Sequence, residues 1–183
     1  MDNEADDQTL LARYAAGDRE AFATLVVRYQ RPLYNAAFWV VRNADDAADV
    51  TQNVFLRVAE RHDEYDPSYK FFSWIYRIAV NESLNVLRRH SREDVLDEEN
   101  EVAAGESANP EVRLAEGQEA QRVRAALLRM STNDRMVLTL RHFSECSYEE
   151  IAQILEIDEK TVKSRLHDAR LRLRRMLSDL RPH

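Results

Sequence analysis

The chain has 183 residues, a formal net charge of −7, 44% hydrophobic residues, and only three glycines and four prolines. That length suits one large or two small domains, and the scarcity of turn formers beside Ala, Leu, Arg and Glu favours an all-α fold over sheets. The single cysteine, Cys146, excludes an internal disulfide, and no amino-terminal apolar run reaches signal-peptide or membrane-span length, so a cytoplasmic protein with no membrane role is expected.

Leu10, Leu11 and Tyr14 predict a short first helix closed by Gly17 as a C′ glycine. Phe22, Leu25, Val26, Tyr29, Leu33 and Ala37 recur at spacings of three and four and predict a longer second helix, with Pro32 as a kink. Residues 43–61 predict a third, with Ala47, Val50, Val54 and Val58 inward. Residues 62–69 contain Asp66-Pro67 and predict a loop. Residues 71–89 predict a helix rich in aromatic side chains. Of Phe71, Phe72, Trp74 and Tyr76, about half are expected in the core and the others outward.

Residues 91–116 have little apolar periodicity and contain Gly105, Ser107, Asn109 and Pro110, the composition of a flexible linker. The expected organisation is therefore a first domain over 1–91, an acidic linker over 92–116 and a second domain over 117–183. Charge is segregated the same way. Residues 93–119 hold ten acidic groups and one basic, net −9; residues 160–183 hold eight basic and two acidic, net +6; residues 70–92 are net +4. Two cationic surfaces flank an acidic connector, which is compatible with a nucleic-acid partner despite the negative total.

In the second half, helices are predicted over residues 118–130, 133–143, 148–155 and 159–180. Ser147-Tyr-Glu-Glu150 has the form of a capping box, Ile151, Ile154 and Leu155 give an inner face, and Glu156-Ile157-Asp158 is a three-residue turn. In the last helix Val162, Leu166, Ala169 and Leu173 face inward, leaving Lys163, Ser164, His167, Arg170 and Arg174 on the opposite stripe. This is a helix-turn-helix with donors suited to base edges and phosphates. A merely solvated basic face is the plainer alternative; cap, turn, inward set and outward donors together favour the functional one. The histidines at 62, 90, 142, 167 and 183 form no spaced metal motif. No phosphate-cradling glycine loop or nucleophile elbow is present, so neither enzyme activity, metal nor cofactor is expected.

Two stretches together resemble the extracytoplasmic-function sigma factors of bacterial RNA polymerase. Residues 46–55, Asp-Ala-Ala-Asp-Val-Thr-Gln-Asn-Val-Phe, with 71–81, Phe-Phe-Ser-Trp-Ile-Tyr-Arg-Ile-Ala-Val-Asn, resemble sigma domain 2. Residues 138–152 and 161–170 resemble sigma domain 4. The resemblance implies that Asp46, Asp49, Gln52, Asn53 and Leu56 dock on the β′ clamp helices of core polymerase, with the β flap as a second contact. The last four stand at i, i+3, i+4 and i+7, a polar strip with one apolar anchor; an ordinary solvated face has the same spacing.

It further implies that the loop with Tyr65 holds a flipped base of the minus 10 element. Trp74 serves there as an aromatic platform, Asn81 reads bases, and Lys70 and Arg77 hold phosphates. In the minus 35 element Lys163, Ser164 and His167 approach base edges, with Arg165 and Arg170 on phosphates and a structural role open for Arg165. Promoter DNA and core polymerase are the implied partners; an anti-sigma factor is neither required nor excluded.

Three departures stand out. Glu156 occupies a turn position where the family usually has glycine, at a cost of about 1 kcal/mol if held at positive φ. Asp168 stands where another basic residue is frequent. Ala48 and Asn53 stand where the family has carboxylates, and a phosphate on nearby Thr51 would add about −1.5 to −2 charges. This resembles sigma factors controlled by Ser/Thr kinases, the plainer alternative being a helical threonine bonded to its own backbone. The competing functional reading is a helix-turn-helix regulator whose first helices bind a ligand or form a dimer.

Overall fold

A computed structural model of the chain describes residues 5–96 and 117–179, and regular structure within them is helical. Helix α1, Asp7–Ala15, starts at Asp6, whose carboxylate accepts the Thr9 N–H. It ends before Gly17, held at φ +100° as a terminating glycine requires. Helix α2, Arg19–Val41, begins on the Asp18 carboxylate and runs through Pro32, which is exposed, to Arg42 in the left-handed conformation. Asn43 caps helix α3, Ala44–Glu60, through the N–H groups of Asp45 and Asp46. A single 3-10 turn, His62–Glu64, leads into the loop before helix α4, Phe71–Leu96.

Helix α2 packs on α1, α3 and α4. The predicted inner face of α3, Ala47, Val50, Val54 and Val58, is buried with Leu25, Leu33, Phe71 and Ile75. Each such large side chain contributes about 1.5–3 kcal/mol on leaving water. Helix α4 is longer than expected: it passes the predicted end at Arg89 and takes up residues 92–96, assigned above to the linker. Charge argued for a linker there, but Arg and Glu are good helix formers, and no Gly or Pro intervenes. The remaining linker residues, 97–116, lie outside the described residues.

The second half forms α5, Gln118–Arg129; α6, Thr132–His142; α7, Tyr148–Leu155; and α8, Glu159–Asp179. The two halves pack on each other, α6 against α2 and α7 against α4. Arg135 of α6, 1% exposed, is the deepest contact at the first junction. Its guanidinium donates to the carbonyls of Trp39, Val40 (3.1 Å) and Met130 (2.9 Å). Trp39 and Val40 lie in the last turn of α2, where carbonyls lack helical partners and the dipole attracts a cation. Burial, then the nearby Arg42, lower the Arg135 pKa to about 10, so it stays charged at neutral pH. Around it Trp39 stacks on Phe143 with centroids 5.4 Å apart, Arg124 lies over Phe38 and Trp39, and Arg42 donates to the Leu128 carbonyl.

Candidate nucleic-acid interface

The helix-turn-helix forms as its local sequence dictates. Ser147 Oγ accepts the Glu150 N–H at 3.1 Å, and Glu150 Oε2 accepts the Ser147 N–H at 2.7 Å, completing the capping box. Helix α7 stops at Glu156, whose φ of 53° carries the strain expected of a residue other than glycine. The Asp158 carboxylate then accepts both the hydroxyl and the N–H of Thr161, at 2.8 and 2.7 Å, which start α8 and hold its carboxyl below the usual range. Ile151, Ile154, Val162, Leu166 and Ala169 are buried between α7, α8 and their neighbours and fix the crossing.

That packing leaves Lys163, Ser164, His167 and Arg170 exposed on one side of α8, with Arg165 half-buried. Lys163 Nζ lies 3.5 Å from Glu159, one turn back, and Arg170 approaches His142 Nε2 at 3.3 Å. Arg172 is different: it pairs with the buried Asp134 carboxylate at 2.6 and 2.8 Å and braces α8 on α6. On the α6 side of α8, Leu138, Leu173 and Leu177 line a groove edged by Arg170 and Arg174.

At the start of α4, Phe71 and Tyr76 are buried, while Phe72 and Trp74, of which an outward orientation was expected for some, are half-buried against the same core. Tyr65, in the loop expected to hold a flipped base, packs inward. It is buried, its hydroxyl donates to the Tyr69 carbonyl at 2.6 Å and accepts from Gln8 Nε2 at 3.0 Å, and its ring meets Phe71 and Trp74. Tyr65 braces the loop; the exposed ring is Tyr69, which the sequence reading passed over. Tyr69, Trp74, Ser73, Asp66 and Arg77 line a cavity of about 240 Å³, with Gln153 of α7 contributing to its wall. The Ser73 hydroxyl, 3% exposed, has no hydrogen-bond partner among the described residues. Asn81 is exposed one turn further along α4.

On α3, Asp49, Gln52, Asn53 and Leu56 share an exposed face, with Leu56 58% exposed. Asp46 is half-buried, with His90 Nε2 at 3.8 Å. Thr51 is on the other side: it is 9% exposed, and its hydroxyl donates to the Ala47 carbonyl at 2.7 Å.

The cations of the loop and α4 meet α7. Lys70 Nζ lies 2.8 Å from Glu150 Oε1, and Arg77 Nη1 lies 3.6 Å from Glu156 Oε1. The bond to Glu150 raises the Lys70 pKa. For Glu150 burial opposes ionisation, but Lys70 and the Ser147 N–H outweigh it and the carboxyl sits below its usual range. Tyr76 is buried, and burial raises its pKa to about 12.

Comparison with known proteins finds both halves. The family model for Sigma-70 region 2 matches residues 25–93, and that for Sigma-70, region 4 matches residues 120–173. The chain is 34% identical over 179 residues to the ECF RNA polymerase sigma-E factor of Escherichia coli (strain K12), covering 93% of each. It is 31% identical over 175 residues to the ECF RNA polymerase sigma factor SigW of Bacillus subtilis (strain 168), covering 90% of this chain and 92% of that one. The solved structure of CnrH in complex with the cytosolic domain of CnrY is similar with a TM-score of 0.73 and 27% identity, covering 96% of this chain and 99% of that one.

Proposed function

We infer the function from one premise: this chain belongs to the extracytoplasmic-function sigma factors of RNA polymerase. Sigma factors are transcription initiation factors rather than enzymes, and this one directs promoter-specific transcription with RNA polymerase. The observation that carries the reading is the coexistence, in one chain, of the α7–α8 helix-turn-helix with outward donors and the exposed α3 strip anchored by Leu56. Run-off transcription with core polymerase tests it. Specific transcripts only when core and this protein are combined support it, whereas tight duplex binding with no effect on core supports the rival helix-turn-helix regulator.

In finer detail, Asp46, Asp49, Gln52, Asn53 and Leu56 contact the β′ clamp helices, and the groove between α6 and α8 receives an apolar segment of the β flap. Lys163, Ser164 and His167 read the minus 35 element, with Arg170 and the half-buried Arg165 toward its backbone. Lys70, Arg77, Asn81, Trp74 and the cavity braced by Tyr65 serve the minus 10 strand. Supporting this division are the exposure of the α8 donors and the unpartnered Ser73 hydroxyl in a cavity walled by aromatic rings and a cation. The domain limits are 1–91 and 117–183 with 92–116 between, α4 overrunning the first by one turn. The working compartment is the cytoplasm, alongside polymerase; among the described residues no helix is long and apolar enough to cross a membrane.

Phosphorylation of Thr51 by a Ser/Thr kinase is the licensing step that the missing carboxylates at Ala48 and Asn53 suggest. Its buried, bonded hydroxyl favours the plainer role of a helical threonine, so a kinase requires local opening of α3. A polymerase pull-down with unmodified, phosphorylated and Thr51→Ala protein decides: equal, tight binding by all three refutes licensing. Control by an anti-sigma protein is the second reading, favoured by the likeness to CnrH bound to the CnrY cytosolic domain.

A further inference from the structure

Helix α7 is the first helix of the helix-turn-helix, yet its outer side is not turned to solvent. It lies on α4, over the surface read above as the minus 10 site. Glu150 divides its carboxylate between two tasks: Oε2 takes the Ser147 N–H of the capping box, and Oε1 reaches Lys70 in the other domain. Glu156, at the opposite end of α7, sits at φ 53°, where glycine would be unstrained. Glycine would also bring no carboxylate to Arg77, which Glu156 approaches at 3.6 Å. Between them Gln153 walls the cavity that Tyr69 and Trp74 line. The groups facing Lys70 and Arg77 from α7 are thus carboxylates spaced along a helix edge, with an amide beside the base cavity. Meanwhile Lys163, Ser164 and His167 on α8 stay exposed.

We propose that α7 is an internal mimic of the minus 10 strand: in the free protein Glu150 and Glu156 occupy the places of backbone phosphates at Lys70 and Arg77, and Gln153 borders the base cavity on the side a strand would enter. The proposal rests on the reading of Lys70 and Arg77 as backbone contacts. The free chain then presents its minus 35 face and hides its minus 10 face, which opens only when the two domains part. Exposed ion pairs are individually weak and screened by salt, so the mask is one that a polyanionic strand displaces once the domains are drawn apart.

The test uses the full chain and a labelled single-stranded DNA oligonucleotide of mixed sequence, read by fluorescence anisotropy at low salt. Domain separation is followed by energy transfer between dyes at Glu60→Cys and Ser178→Cys, both exposed positions. The variant Glu150→Gln with Glu156→Gln removes both charges while glutamine preserves the capping box, and circular dichroism checks that helicity is kept. The control, Glu20→Gln with Glu119→Gln, makes the same charge change at exposed sites away from the interface.

The expected result is at least tenfold tighter strand binding and lower energy transfer in the first variant, neither in the control, with the gain abolished by adding Lys70→Ala and Arg77→Ala. Equal tightening in the control, or none in the first variant while Lys70→Ala weakens the wild type, overturns the mask and leaves the minus 10 assignment standing. Strand binding indifferent to Lys70→Ala and Arg77→Ala in every background overturns the assignment itself, and the mask with it, even where energy transfer reports opening.

Discussion

Replacing Arg135 with methionine perturbs the junction between α2 and α6 at its deepest point. In the closed chain its guanidinium satisfies the Trp39 and Val40 carbonyls, both in the last turn of α2. Methionine fills similar space and donates nothing, so these two acceptors are left buried against it, at about 1–3 kcal/mol each. With the domains apart, water satisfies the same carbonyls. The closed form alone is therefore penalised, by less than the about 2–6 kcal/mol of the two acceptors because methionine avoids the guanidinium dehydration, and a net 2 kcal/mol shifts the closed-to-open ratio roughly 30-fold. Energy transfer between dyes on the two domains should fall accordingly. Unchanged transfer, with only a lower melting temperature, would refute the reasoning and make Arg135 an internal strut acting through its bond to the Met130 carbonyl.

Leu56→Arg should leave the melting temperature within about 2 °C of wild type, since Leu56 is exposed, while weakening core polymerase binding at least tenfold in a pull-down or competition assay. Lys163→Ala should cost about 1–3 kcal/mol of minus 35 affinity and relax preference at one base position, measured by binding to a panel of promoter duplexes. Closure should also depend on pH in a defined direction. The lowered Glu150 carboxyl contributes fully above its ordinary value of 4.5 and is lost as pH falls through its lower value in the closed chain. The raised Lys70 contributes fully below 10.5 and is lost only above it, so energy transfer should be flat between these limits and drop first on the acid side.

The parts of this molecule that announce themselves in the sequence are those whose causes are local. Ser147, Glu150, Asp158 and Thr161 cap their helices within three residues, so the helix-turn-helix is legible from spacing alone. The α3 core face is equally plain from its period. The burial of Tyr65 is not legible in the sequence because it depends on Gln8, 57 residues away, and on the Phe71 and Trp74 rings. Arg135 carries no signal at all: one arginine on an amphipathic helix looks like surface charge until another domain covers it. The length of α4 was missed because acidic composition was weighed above the helix propensity of the residues that carry it.

The two junctions between the domains differ in chemical kind, and that difference sets how they respond to ions. At the α4–α7 end the partners are full charges near solvent, Lys70 with Glu150 and Arg77 with Glu156, which added salt weakens. At the α2–α6 end Arg135 is sealed from water and bound to neutral oxygens, and the Trp39–Phe143 stack beside it carries no charge. Rising ionic strength should therefore weaken the α4–α7 ion pairs while leaving the contacts of Trp39, Phe143 and Arg135 largely unaffected.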